Sequence, residues 1–279
     1  MKLTISLFIL LSTSLLLGQH FEKSIGDFNS AGSFSISPTG AIFVTDLEKN
    51  ELIKLNQNGK VIAFVGGFGW DNSSFDNPVD VYANTLRIYV ADKNNNRIQI
   101  FDKYLNYLSS FSNEKLEGDE SFAYPNGFGI SNQGDYFILD SDNNRVLKYN
   151  LNGTFLIKIG DTDAGHYTLS NPKALAISPD GKVFVINNNQ IFVYDQYGTG
   201  LLKINTKFSP DNINITSYYL TINSDSLVEF TDLSKPASTL NKFVPEETFT
   251  TKNKIVEASV FQDKIYVLTQ KNILIYSLN

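Results

Sequence analysis

Short apolar runs rich in Val, Ile, Phe and Tyr alternate with clusters of Asn, Asp, Gly and Ser from residue 20 onward. Runs of this length bounded by turn residues predict β-strands, and no stretch beyond the first 19 residues sustains a helical period. The pattern repeats. Ala-Ile-Phe-Val44-Thr-Asp46 has counterparts in Arg-Ile-Tyr-Val90-Ala-Asp92, Asp-Tyr-Phe-Ile138-Leu-Asp140 and Lys-Val-Phe-Val185-Ile-Asn187, with anchors 46, 48 and 47 residues apart. Weaker copies at Ser-Leu-Val228-Glu and Ile-Tyr-Val267-Leu follow after 43 and 39 residues. In the third unit, Gly127 to Ser131, Tyr136 to Leu139, Arg145 to Tyr149 and Thr154 to Ile159 read as four strands. Asn58-Gly59 and Asn152-Gly153 mark hairpins, for which a type I′ turn is expected.

Six units of four short strands predict an all-β fold: a six-bladed β-propeller of four-stranded antiparallel blades. The sixth unit, from about Ile255 to Asn279, has room for only three strands. His20-Phe-Glu-Lys-Ser-Ile-Gly26 resembles the outer strand Thr154-Phe-Leu-Ile-Lys-Ile-Gly160, so residues 20 to 27 are expected to close the ring beside Ile273 to Ser277. Closure removes the sheet edges that would otherwise recruit other chains.

The opening residues read differently. Lys2 precedes an apolar run from Leu3 to Leu17 that ends at Gly18-Gln19, the pattern of a secretory signal peptide over residues 1–19 and too short for a transmembrane helix. Residues 20–279 are then a single propeller domain, secreted or periplasmic, with no membrane span and expected to be a monomer.

Composition narrows the chemistry. The 279 residues include 23 Lys+Arg against 29 Asp+Glu, a net charge of −6, two His and no Cys. Without sulfur there are no thiolate zinc sites, iron–sulfur clusters or thiol nucleophiles, and His20 and His166 are too few for a histidine-rich metal site. The acidic balance lacks the basic footprint of a nucleic-acid binder.

Asp92-Lys-Asn-Asn-Asn96-Arg97-Ile-Gln-Ile-Phe-Asp102 and Asp140-Ser-Asp-Asn-Asn144-Arg145-Val-Leu-Lys-Tyr149 resemble the NHL repeat, with a partial copy from Asp46 to Leu55. The proline-anchored unit starts at Pro78, Pro125 and Pro172, 47 residues apart, fit the same pattern, and unit five departs from it. The resemblance implies a rigid interaction platform. Because Asp46, Asp92, Asn96, Arg97, Asp140, Asn144 and Arg145 recur with the repeat, they are read as structural. Asp and Asn bond backbone N–H groups in tight loops, and Arg pairs with a carboxylate. A calcium loop needs more carboxylates than Asp92-Lys-Asn-Asn-Asn offers.

The inter-blade loops and the loops between second and third strands emerge on one face of such a disc. Trp70, Asp71, Asp119, Tyr124, Asp161, His166 and Tyr167 fall on that face and are the candidate binding residues for a protein or glycan partner, with no cofactor required. Trp70 has no counterpart in the other units, whereas Phe75 and Phe122 sit three before proline and read as packing residues. An alternative is a metal-dependent lactonase or esterase, whose fold group holds a divalent cation such as calcium at the channel mouth. Pro125-Asn126-Gly127 resembles its asparagine ligand motif, and Asp80 lies nearby in sequence pattern. Lys173 then stands where that group carries a carboxylate, no Glu precedes Ser33, and the histidines of the related lyases are missing. Asn72, Asn152 and Asn214 head Asn-x-Ser/Thr sequons.

Overall fold

The computed structural model describes residues 19–112, 116–235, 241–245 and 253–278. The leader expected over residues 1–19 lies, but for Gln19, outside the described residues. Six four-stranded antiparallel sheets follow one another in chain order. Their inner strands are Ala31–Ile36, Pro78–Ala83, Pro125–Ile130, Pro172–Ile177, Asn212–Thr216 and Ile255–Phe261, and all six contribute to the wall of one central cavity. The molecule is the expected six-bladed propeller. Its described helical pieces are single 3-10 turns such as Lys93–Asn95 and Ser141–Asn143, none long enough to cross a membrane.

The strands hold because each blade is apolar on both faces. One buried cluster fills each junction: Phe43, Phe75 and Val81 between blades one and two, Tyr89, Phe128 and Tyr136 between two and three, and Leu139, Leu175 and Val185 between three and four. Side chains alternate across a strand, so a residue and its neighbour serve different junctions. Phe28, Phe75, Phe122 and Leu169, each three residues before an inner strand, are all buried. This recurring plug locks these four inter-blade loops onto the disc.

Blade six is completed by His20–Ile25, which pairs antiparallel with Ile273–Ser277, His20 opposite Ser277 and Ile25 opposite Ile273. Phe21 meets Tyr276 edge-on at 5.5 Å. Early and late segments of the chain thus share one sheet.

Two expectations need correction. Val228 was aligned with the second-strand anchors, but it lies in the third strand of blade five, Val228–Asp232, and the second strand is Tyr219–Asn223. The apolar spacing there misleads because the connections are short: residues 206–211 lead into the blade and residues 217–218 alone join its first two strands, so the second strand arrives early in the repeat. The Asn-Gly hairpins are also not type I′. Only the glycines take positive φ, 85° at Gly59 and 80° at Gly153, with no positive φ at Asn58 or Asn152. Gly59 N–H bonds Asn56 O at 2.9 Å, and the ladder shifts register between Lys54 and Leu55. This is a turn closed by a glycine bulge, and the Asn56 side chain anchors it by accepting the N–H groups of Asn58 and Lys60.

Candidate functional site

The loop face is organised by the repeat residues. Asp92 ends the second strand of blade two, Arg97 begins the third, and between them the turn Lys93–Asn95 closes with Asn96 in the left-handed region at φ 50°. Asn tolerates that conformation better than residues with bulkier side chains. Arg97 Nε reaches Asp92 Oδ2 at 2.7 Å, and both residues are buried. The other guanidinium nitrogens donate to Trp70 O at 2.7 Å, Asp71 O at 3.0 Å and Ser74 O at 2.9 Å. A fixed fork of donors thus fastens the inter-blade loop from below. Asp92 Oδ1 also accepts the Asp76 N–H at 2.8 Å.

Blade three repeats the device. Arg145 Nε bonds Asp140 Oδ2 at 2.9 Å, Arg145 Nη2 donates to Ser121 O at 3.0 Å, and Asp140 accepts the Ala123 N–H. Asn144 matches Asn96 at φ 52°. In blade one, Asp46 accepts the N–H groups of Asn29 and Ser30. In blade four Asn187 does the same for Ser170 and Asn171, with no arginine.

On this scaffold Trp70 is 74% exposed and Phe68 67%, with their rings edge-to-face at 6.2 Å. Sequence reasoning passed over Phe68; the signal was its place in the same Gly-rich loop as Trp70. Asp71 is exposed beside Trp70. Tyr124 is exposed too, its N–H on Asn96 Oδ1 and its carbonyl taking the Ser141 hydroxyl. Asp119 and Asp161 share Lys158, at 3.0 Å each, and flank Arg145 at 3.5 and 3.7 Å. The Lys158 hydrogen bond and charge hold Asp119 below the usual carboxylate range. Burial opposes the same shift at Asp161, but the Thr162 N–H and Lys158 outweigh it. His166 is exposed in the turn Gly165–Tyr167, whereas Tyr167 is half-buried and its ring packs on Phe192 and Tyr194.

The second polar centre lies in the channel, a cavity of about 310 Å³. Asp80 and Glu257, from the inner strands of blades two and six, converge on Ser33 of blade one. Ser33 Oγ is 3.0 Å from Asp80 Oδ1 and 2.8 Å from Glu257 Oε2. Phe128 N–H bonds Asp80 Oδ2 at 2.8 Å, Phe34 N–H bonds Glu257 Oε2 at 3.0 Å, and Asn214 Nδ2 bonds Glu257 Oε1 at 2.8 Å. The carboxylates therefore satisfy inner-strand N–H groups that have no further strand to pair with. A serine hydroxyl has one hydrogen and cannot donate to both acids, so the arrangement favours keeping a proton on one carboxyl. Burial, then the charge of Asp80, pushes Glu257 up to about 7. Burial pushes Asp80 up as well.

These residues do not suit a divalent cation. All four carboxylate oxygens are already engaged, and Asn126 Oδ1 takes the Lys93 ammonium at 2.9 Å while its amide donates to Lys173 O. Lys173 pairs with Asp211 at 3.0 Å. A lysine charge thus sits on the atom a metal would need. Among the described residues no three His, Asp or Glu side chains gather as a metal set. Glu257 escaped the sequence reading, although Val256-Glu257-Ala258 repeats Val79-Asp80-Val81. Asn214 also leaves the sequon list, since its side chain is spent on Glu257 and Thr216.

Six blades with a shared closing sheet and loops fastened by repeated Asp–Arg clamps define a repeat-built β-propeller. The chain is an NHL-repeat β-propeller: the NHL repeat model matches residues 75–101 and 122–149, the spans that carry both clamps. It is 32% identical over 143 residues to Protein brain tumor of Drosophila melanogaster, a match covering 50% of this chain and 13% of that one. It is 26% identical over 187 residues to a probable peptidyl-alpha-hydroxyglycine alpha-amidating lyase of Caenorhabditis elegans, covering 63% and 49%. The chain spans less than half the length of either relative. A gluconolactonase from Xanthomonas campestris superposes with a TM-score of 0.66 at 13% identity, over 96% of this chain and 94% of that one, a likeness of fold alone.

Proposed function

We propose that this protein is a non-catalytic binding module that captures a protein partner on its loop face. The observation that carries the reading is Trp70: a large aromatic side chain exposed on a loop that Arg97 fastens through three backbone carbonyls. Exposed apolar surface on a rigid support marks an interaction site, because binding then orders little that was free before. Trp is also the residue type most enriched among interface anchors. With a leader over residues 1–19, the partner is met outside the cytoplasm.

The test compares capture from the exported fraction of the source cell by the wild-type protein, Trp70→Ala and Tyr197→Ala. Tyr197 is equally exposed, at 74%, but lies between the third and fourth strands of blade four, on the opposite face. Partners kept by Tyr197→Ala and lost by Trp70→Ala support the reading. Equal capture by all three overturns it, and retention on glycans alone moves the assignment to a carbohydrate.

A further inference from the structure

On the loop face from blade two to blade four, the described arginine and lysine side chains are engaged by neighbours while several carboxylates stand exposed; Lys49 is exposed on the adjoining turn of blade one. Arg97 and Arg145 are buried beneath their loops. The Lys93 ammonium points to Asn126 at the channel, and Lys158 is held between Asp119 and Asp161. Asp71, Asp142 and Asp163 remain exposed on the same face as the rings of Phe68, Trp70 and Tyr124. Hydrogen bonds link the strip from Gly69 to Ser141: Asn95 Nδ2 donates to Gly69 O at 2.9 Å, Asn96 holds Tyr124, and Ser141, at the start of the next turn, bonds Tyr124 O at 3.1 Å.

We propose that this strip, from Phe68 and Trp70 across Tyr124 to Asp142 and Asp163, docks a basic polypeptide segment. The inference rests on the binding reading above and names the partner's chemistry. Arginine and lysine side chains are attracted to the faces of Trp and Tyr rings, and the surrounding carboxylates steer and orient such a segment. A nucleic acid or an acidic peptide meets repulsion on the same surface.

The probe is a fluorescent peptide of alternating arginine and glycine, followed by anisotropy at low and physiological salt, beside a glutamate–glycine peptide and a neutral oligosaccharide. The arginine peptide is expected to bind, weakening as salt rises. Trp70→Ala weakens it about tenfold, Asp71→Asn and Asp142→Asn each reduce the salt dependence, and Tyr197→Ala leaves it unchanged. Binding of the glutamate peptide with equal strength, indifference to Trp70→Ala, or binding of the oligosaccharide alone would overturn the proposal. If the arginine peptide fails while Trp70-dependent protein capture persists, this inference falls and the binding reading stands. If both fail, both fall. Matching thermal melts of the variants show that the losses arise at the surface.

Discussion

Asp80 and Glu257 meet on the single hydroxyl of Ser33, and one hydrogen between two acids favours a second proton on a carboxyl. The arrangement ties blades one, two and six together at the channel and reaches blades three and five through Phe128 and Asn214.

Stability should therefore fall as pH rises through the range of this pair. Glu257 titrates near 4.5 in the unfolded chain and at about 7 in the folded one, so between these values the folded state binds more protons. Stability then declines with pH across that window and levels off above it, by on the order of 3 kcal/mol. Asp80, shifted the same way, adds to the decline. Denaturant melts at pH 5 and pH 8 measure it, and Glu257→Gln should remove most of the slope. A wild-type curve that is flat or rising across this window contradicts the shared proton.

Ring closure by His20–Ile25 predicts a large truncation effect. A chain beginning at Asp27 loses the pairing with Ile273–Ser277 and the burial of Ile25, and should melt roughly 10 °C below one beginning at Gln19. Differential scanning calorimetry on the two proteins checks this. Equal melting temperatures would mean that the closing strand adds nothing.

Arg97→Ala strands Asp92 as a buried unpaired charge and frees three loop carbonyls, a loss of about 3–5 kcal/mol. Arg97→Lys should recover little, since a single ammonium cannot serve Asp92 and the three carbonyls together. Urea unfolding gives the stabilities, and hydrogen exchange at residues 66–77 should rise in both variants.

Gly129 explains how the inner strand of blade three approaches blade four. A Cβ there would lie 2.5 Å from Ile177 Cγ1. Gly129→Ala should cost about 1–3 kcal/mol through overpacking. In an Ile177→Ala background, which lacks Cγ1, Gly129→Ala should cost less than it does in the wild type, as urea melts of the two single variants and the double variant would show.

Much of the architecture was legible because a repeat announces itself. The spacing of Val44, Val90, Ile138 and Val185 counted blades, and the likeness of residues 20–26 to residues 154–160 revealed the closing strand. Blade five resisted for a local reason. The connections before its second strand are short, so Val228, in the third strand, fell where the repeat spacing expects the second. The hairpin turns resisted for another, since Asn-Gly is compatible with more than one turn and register decides between them.

The sequence alone determined the elements and the loop chemistry, because strand period, turn residues and the Asp–Arg clamp act over a few to about thirty residues. It also placed Trp70 in an unusual loop. Only the tertiary structure decided that Ser33, Asp80 and Glu257 meet, since ring closure brings together side chains 224 residues apart. It likewise decided which charges face solvent, for whether Lys93 or Asp142 points outward depends on neighbours supplied by the next blade. Local propensity writes the blades, and the geometry of the closed ring assigns their polar side chains to channel, clamp or surface.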